Sequence, residues 1–250
     1  MSLSAGIDVG SSTIKFVILD DGKIVNWEVV PSTSQPLSAS KALLDNLGAD
    51  VPVVATGYGR DMIEFERKIP TVSEIKAHAS GARLLFPSCR SIIDIGGQDV
   101  KAIALDNNGR VSRFEMNDRC AAGTGKFLEV AAGKFNCSLE EFSSAALKGK
   151  DGIKISSLCT VFAESEIIGL INRGCSPEDI SRALHWSVVN RIKPMFSRVD
   201  AAGPTAITGG GSKNAAILEL FRQCLQTEIL HSPYSQIAGA IGCAISAYRI

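Results

Sequence analysis

The chain has 250 residues, 45% of them hydrophobic, with 26 basic side chains against 26 acidic ones. That length holds two domains of about 100–125 residues, each able to bury a core. Zero net charge without a basic block excludes a nucleic-acid footprint, and no apolar run reaches the ~18 residues of a membrane span.

The sequence opens directly into a strand pattern, with no secretory leader. Its seven cysteines, an odd number scattered singly, do not make a disulfide framework. The expectation is a soluble, cytoplasmic protein with reduced thiols and neither nucleic acid nor membrane as a partner.

Residues 5–30 read as three short strands, the third over 24–30. The first two carry Gly6-Ile7-Asp8-Val9-Gly10-Ser11-Ser12-Thr13-Ile14-Lys15, continuing to Asp20, and the pattern returns 86 positions later as Ile93-Asp94-Ile95-Gly96-Gly97-Gln98-Asp99-Val100-Lys101, continuing to Asp106. Asp8 falls on Asp94, Gly10 on Gly96, Lys15 on Lys101 and Asp20 on Asp106. Each copy predicts strand, tight glycine turn, strand and polar hairpin. After the first copy come a helix over 37–47 and an apolar strand over 51–55. The strand runs into Thr56-Gly57-Tyr58-Gly59-Arg60, a glycine-rich turn suited to lining a ligand cleft. A helix capped by Ser73 then extends to about Phe86, before Pro87 ends it.

The second half begins at Ser91 with its own three strands, ending near Glu115. A loop, Asn117-Asp118-Arg119-Cys120-Ala121-Ala122-Gly123-Thr124-Gly125, turns into a helix, and another helix covers 138–146 with Glu140 and Glu141 in its first turn. Residues 155–166 form a second extended-to-helix junction around Cys159. Ser176-Pro177-Glu178-Asp179 starts a helix to about Arg198, with Pro194 a candidate kink. A strand over 206–208 ends in Gly209-Gly210-Gly211-Ser212-Lys213-Asn214 and leads to a helix ending near Leu225, with Asn214 one turn inside it. A short strand over 228–230 follows. The last helix, 236–248, is rich in small residues and is expected to cross back and pack near a domain junction. The division is therefore 1–90 and 91–234, with 235–249 returning to the junction.

A carboxylate at a strand end followed by a glycine turn lets backbone amides and small hydroxyls approach an anion. Two such hairpins facing each other would bracket a polyphosphate, with Asp8 and Asp94 placed to hold Mg²⁺ and orient water. A single such turn is no more than a hairpin needing glycine; a long repeat with the carboxylates in register favours phosphate. Gln98 is the candidate for positioning the attacking water. Gly10, Ser11, Ser12, Thr13, Gly96 and Gly97 are the phosphate candidates. Lys15 either touches phosphate or faces solvent.

The two hairpins and the triple glycine together resemble the phosphate-1, phosphate-2 and adenosine motifs of the actin, Hsp70 and sugar-kinase superfamily. That resemblance implies an α/β fold of two RNase H-like domains with ATP or ADP in the cleft between them. Gly209, Gly210, Gly211 and Asn214 would then meet the nucleoside. Gly123-Thr124-Gly125 resembles a glycerol-kinase-type loop that touches the terminal phosphate.

Asn117-Asp118-x-Cys120-Ala-Ala-Gly-Thr-Gly-x-Phe and Ile155-Ser-Ser-x-Cys159-Thr-Val-Phe-Ala-Glu-Ser-Glu166 narrow the match. They are similar to the motifs of the BadF/BadG/BcrA/BcrD ATPase family, which includes activators of 2-hydroxyacyl-CoA dehydratases and components of benzoyl-CoA reductases. Asp94-Ile-Gly-Gly-Gln-Asp99 and Ala55-Thr-Gly-Tyr-Gly-Arg60 fit the same pattern, and the resemblance spans essentially the whole chain.

Cys120 and Cys159 each read as the last residue before a helix, where the helix N-terminus favours thiolate. Such a pair suits buried packing, a bridging zinc or an iron–sulfur cluster. Two thiolates are too few for a [4Fe–4S] cluster, and a C2 homodimer supplies four. The resemblance implies that arrangement: one [4Fe–4S] bridging two subunits, fed by ferredoxin or flavodoxin and discharging to an iron–sulfur dehydratase or reductase as ATP binds and is hydrolysed. Glu164 and Glu166 either support the nucleotide or form a solvated helix face. The other cysteines, with His78, His185 and His231, read as packing or surface residues. The rival readings are a small-molecule, sugar-type kinase of the same fold without a cluster, and a chaperone- or actin-like ATP-gated binding protein.

Overall fold

The computed structural model of the chain describes residues 3–45, 47–48, 50–118, 121, 123–155 and 160–249. The first half gives β1 (Leu3–Val9), β2 (Thr13–Asp20), β3 (Lys23–Pro31), α1 (Pro36–Asp45), β4 (Val53–Thr56), α2 (Arg60–Arg67) and α3 (Glu74–Leu85). The second gives β5 (Ser91–Ile95), β6 (Val100–Leu105), β7 (Val111–Asn117), α4 (Gly125–Lys134), α5 (Leu139–Lys148), α6 (Thr160–Asn172) and α7 (Pro177–Arg198). It continues through β8 (Thr205–Thr208), α8 (Ala215–Cys224), β9 (Ile229–Leu230) and α9 (Ala238–Ala247).

The repeat in the sequence is a repeat in the fold. The sheets run β3-β2-β1-β4 and β7-β6-β5-β8-β9. In both, the first strand pairs antiparallel with the hairpin strand and parallel with the strand on its other side. Asp8 lies opposite Lys15 and Thr56, and Asp94 opposite Lys101 and Thr208. Even the irregularity recurs: the ladder shifts register between Ile18 and Leu19, and again between Ala104 and Leu105. The bulge stands at one place in both copies, so the single inserted residue lies in the hairpin turn itself: Asp21-Gly22 in the first copy, Asn107-Asn108-Gly109 in the second.

Helices on both sides explain why the central strands read as near-continuous apolar runs. On one face of the first sheet, Ala5, Ile7, Val9, Ile14 and Phe16 pack with Leu43 and Leu44 of α1. One face of the second sheet meets the larger core built from α4, α5, α6, α7 and α8. Local signals place those helices. Ser138 and Glu141 form a reciprocal capping box at α5, and Ser176 caps α7 with Pro177 in its first turn. Ser73 precedes α3 as expected, but its side chain makes no capping hydrogen bond.

The two inner faces are covered crosswise. α3 follows the first sheet in the chain, yet Ala79 and Ala82 pack on Ile92, Ile103, Leu105 and Ala206 of the second. α9 follows the second sheet, yet Ala240, Ile241 and Ala244 pack on Val17 and Leu19 of the first. A cut at residue 90 therefore follows chain order, whereas packing assigns α3 to the second sheet. The two helices cross in close contact. A Cβ on Gly81 would stand 1.8 Å from the Ala238 carbonyl oxygen, and one on Gly242 1.8 Å from that of Ala77. Ala77-x-x-x-Gly81 and Ala238-x-x-x-Gly242 thus meet reciprocally about a pseudo-twofold axis.

Candidate nucleotide cleft

A cleft of about 730 Å³ opens between the two hairpins. Most of the residues expected at a phosphate site line it: Asp8, Gly10, Ser11, Ser12, Thr13 and Lys15 from the first hairpin, and Asp94, Gly96, Gly97 and Gln98 from the second. Gly125, Gly209, Gly210, Gly211 and Asn214 line it as well. The hairpin turns face each other closely enough that a Cβ on Gly97 would fall 2.0 Å from the Ser12 hydroxyl. The Gly96 and Gly97 carbonyls accept the first two amides of α4, from Gly125 and Lys126, at 3.0 and 2.9 Å. The second turn and the start of α4 are one hydrogen-bonded unit.

The two carboxylates sit on the cleft floor in unequal surroundings. Asp8 pairs with Lys15 at 3.1 Å, so Lys15 is turned inward and its side chain is mostly covered. Asp94, 2% exposed, accepts from Thr208 at 2.8 Å, from Lys101 at 3.3 Å, and lies 3.1 Å from His78 Nδ1. Burial opposes its ionisation, but His78, Lys101 and the Thr208 hydroxyl together outweigh that and hold its carboxyl down at about 2. Lys101 is itself only 2% exposed and meets three carboxylates: Glu74 at 2.8 Å, Asp94, and Asp99 in a very short contact. Desolvation disfavours its charge, and the three acids more than restore it. Thr56, the counterpart of Thr208, instead donates to the Val72 carbonyl at 2.7 Å. Symmetric sequence has become an asymmetric site.

Three expectations shift. Asn214 is the N-cap of α8 and not one turn inside it, because residues Gly210–Lys213 form a separate 3₁₀ turn. Its side chain accepts from the Ile217 amide and the Ser143 hydroxyl and faces His185 Nε2 at 3.0 Å, which commits it to the scaffold. Thr124 is buried, with its hydroxyl on the Ala121 carbonyl at 2.6 Å, and Gly123 packs against Arg191; neither lines the cleft. α4 starts at Gly125, five positions beyond Cys120, so Cys120 does not immediately precede it, whereas α6 starts at Thr160, directly after Cys159. Cys120 and Cys159 themselves lie outside the described residues. Glu164, on α6, pairs with Lys134 at 2.5 Å on the surface.

Sequence reading missed His78, Glu74, Lys101 and Asp118 as cleft residues. His78 sits on α3, which reaches the site only because that helix covers the second sheet. A second internal repeat also went unused: Thr56-Gly57-Tyr58-Gly59 and Thr208-Gly209-Gly210-Gly211, 152 positions apart. Gly57 and Gly209 both adopt positive φ, 98° and 76°, in the region that favours glycine.

Among the described residues no group of three or more His, Cys, Asp or Glu side chains is placed to hold a metal ion, and no helix is long and apolar enough to cross a membrane. The described cysteines lie singly, Cys89 and Cys243 buried and Cys137, Cys175 and Cys224 half-buried. Burial pushes the Cys243 thiol well up, with Asp8 and Glu74 adding to it.

Comparisons with known proteins agree with this geometry. A ROK family glucokinase from Streptomyces griseus, 17% identical, superposes with a TM-score of 0.64 over 99% of this chain and 100% of its own, so the two share a fold. The activator of the 2-hydroxyisocaproyl-CoA dehydratase from Clostridium difficile, solved with bound ADPNP, is 37% identical and superposes with a TM-score of 0.90 over 99% of this chain and 94% of that one. The activator of lactoyl-CoA dehydratase from Anaerotignum propionicum is 43% identical over 98% of this chain and 96% of its own length. The model of the BadF/BadG/BcrA/BcrD ATPase family matches residues 5–247. With two carboxylate-bearing glycine hairpins facing across one cleft and matches that span the whole fold, the chain belongs to the BadF/BadG/BcrA/BcrD ATPase family.

Proposed function

We propose that the chain is an ATP-hydrolysing activator that passes a low-potential electron to a 2-hydroxyacyl-CoA dehydratase-type or benzoyl-CoA reductase-type partner. The observation that carries the ATPase half is the pair of facing turns, each with a carboxylate at its base. The nucleoside lies over Gly209–Gly211, and the phosphates pass between the 10–13 and 96–97 turns. Asp8 and Asp94 organise Mg²⁺ and water, and Gln98, exposed in the cleft, positions the nucleophile. Asp8 has fewer internal donors than Asp94 and so is the freer of the two to hold the ion's water shell. Lys15 neutralises charge beside the phosphates, Gly125 gives α4 its close approach to the second turn, and Thr124, Gly123 and Asn214 support from behind.

The electron-transfer half rests on Cys120 and Cys159. A C2 homodimer brings together four thiolates, a ligand set that fits a [4Fe–4S] cluster, and the cluster when bound supplies the one-electron chemistry. Ferredoxin or flavodoxin is the donor. The hydrogen bonds from α4 to Gly96 and Gly97 give the phosphate turn a direct hold on the helix that follows the Cys120 loop. Nucleotide-dependent closure about the α3–α9 crossing would move that helix with the turn.

The test is iron and acid-labile sulfide on anaerobically purified protein, with Cys120→Ser and Cys159→Ser alongside. About four irons per dimer, lost in either variant, is the expected result. ATPase activity without iron, even after reconstitution, would refute electron transfer and point to phosphoryl transfer to a small acceptor.

A further inference from the structure

The Thr-Gly-x-Gly repeat is closely matched in three dimensions except at one side chain. A Cβ on Gly57 would fall 2.5 Å from the Val9 carbonyl oxygen and 2.7 Å from Asp8 Oδ1; on Gly209 the same two distances, 2.5 and 2.7 Å, run to the Ile95 oxygen and Asp94 Oδ1. A Cβ on Gly59 would fall 2.6 Å from the Val9 side chain, and one on Gly211 2.5 Å from that of Ile95. These outer glycines are required by the protein's own packing. The middle position differs. A Cβ on Gly210 would meet nothing within 4 Å, whereas its counterpart is Tyr58, 86% exposed and on the wall of the same cleft.

The two turns are counterparts across the pseudo-twofold axis, one against Asp8 and the other against Asp94, and both line the one cleft. A nucleotide whose nucleoside rests over the open Gly210 turn, with its phosphates between the Asp8 and Asp94 hairpins, advances toward the Thr56–Gly59 turn as the phosphate chain lengthens. We propose that Tyr58 reads the terminal phosphate: its phenol hydrogen-bonds the γ-phosphate of ATP and thereby distinguishes ATP from ADP. This rests on the nucleotide reading of the cleft. The side chain is well placed for the task, since a phenol is a neutral donor with two rotatable bonds. The flanking glycines let its turn pack hard against β1 while the ring itself stays free of protein contacts that would compete for it. No core contact depends on the ring, so substitution leaves the fold intact.

The experiment titrates wild type, Tyr58→Phe and Tyr58→Ala with Mg·ADP and with a non-hydrolysable Mg·ATP analogue by calorimetry. In both variants affinity for the triphosphate should fall about tenfold, the factor expected for one hydrogen bond to a charged group, while affinity for ADP stays as in wild type. Unchanged affinity for both nucleotides would overturn the proposal, as would an equal loss for both, which would put the ring on the nucleoside or the first two phosphates. A wild type that binds neither nucleotide would instead overturn the reading of the cleft.

Discussion

Acidification to pH 5 should cost the protein about 2 kcal/mol through His185 alone. The ring is fully buried, with Nδ1 2.8 Å from the Ser181 carbonyl oxygen and Nε2 3.0 Å from Asn214 Nδ2. That geometry suits only the neutral ring: Nδ1–H donates to Ser181, and Nε2 accepts from the Asn214 amide. Burial drives the imidazole from 6.5 down to about 4, partly opposed by the Ser181 carbonyl. Because the folded value lies below the unfolded one, the unfolded chain takes the proton first. The stability is complete above about pH 7 and is lost as pH falls toward 4. A gap of about 2.5 units at about 1.36 kcal/mol per unit gives a full loss of about 3.4 kcal/mol, of which about 2 has gone by pH 5. Carboxylates with ordinary values, about 4, titrate mainly below that window.

The assay is urea unfolding by circular dichroism at pH 7.5 and pH 5, for wild type and His185→Gln. The variant should be the less stable at pH 7.5, with the difference shrinking by about 2 kcal/mol at pH 5 because it has no ring to protonate. Parallel losses in the two proteins would refute the reasoning. The same protonation sets a donor against the Asn214 amide and so works on the cap of α8, beside the glycine turn.

Lys101→Met should cost about 3–5 kcal/mol at pH 7 by leaving Glu74, Asp94 and Asp99 facing one another; urea unfolding should show part of the loss recovered by adding Asp94→Asn. In wild type Asp94, held at about 2, supplies stability that is present above about pH 4 and lost toward pH 2; the deficit of Lys101→Met relative to wild type should shrink between pH 7 and pH 5 as the crowded acids take up protons. Gly242→Ala and Gly81→Ala should each lower the thermal midpoint by the equivalent of about 1–3 kcal/mol, since each new Cβ strikes backbone; Gly210→Ala, with open space around it, should leave the melt unchanged.

The hairpin repeat was legible because its chemistry is local. A strand, a glycine turn and a carboxylate in register need only neighbouring residues to declare themselves, and Asp8, Asp94 and both turns came from that pattern. The division of labour between the carboxylates was not legible, because it depends on His78 and Glu74, which arrive on α3 from across the axis. The Thr-Gly-x-Gly repeat is carried by three identities in four residues, too short to stand out against 23 glycines. Asn214 was misplaced because the triple glycine was taken as leading straight into a helix. The chain spends Gly210–Lys213 on a 3₁₀ turn first, which makes Asn214 the cap. Cys120 was set one turn too close to α4 for a similar reason: Thr124 fits the N-cap place, and Thr was weighed there only as a phosphate ligand.

The crosswise placement of α3 and α9 has a consequence for how the protein is made. The first sheet is complete once residue 56 has been synthesised, but the helix that covers Val17, Leu19 and Val54 is Ala238–Ala247. Throughout translation of the second half, that apolar face waits for a cover encoded nearly 200 residues downstream, at a high loop-closure cost and open to wrong partners. α3, by contrast, is ready before the sheet it covers exists. The second half can assemble on a waiting helix, and the first is finished only when α9 returns, so the two halves close as one cooperative unit in which the earliest strands are the last to be buried.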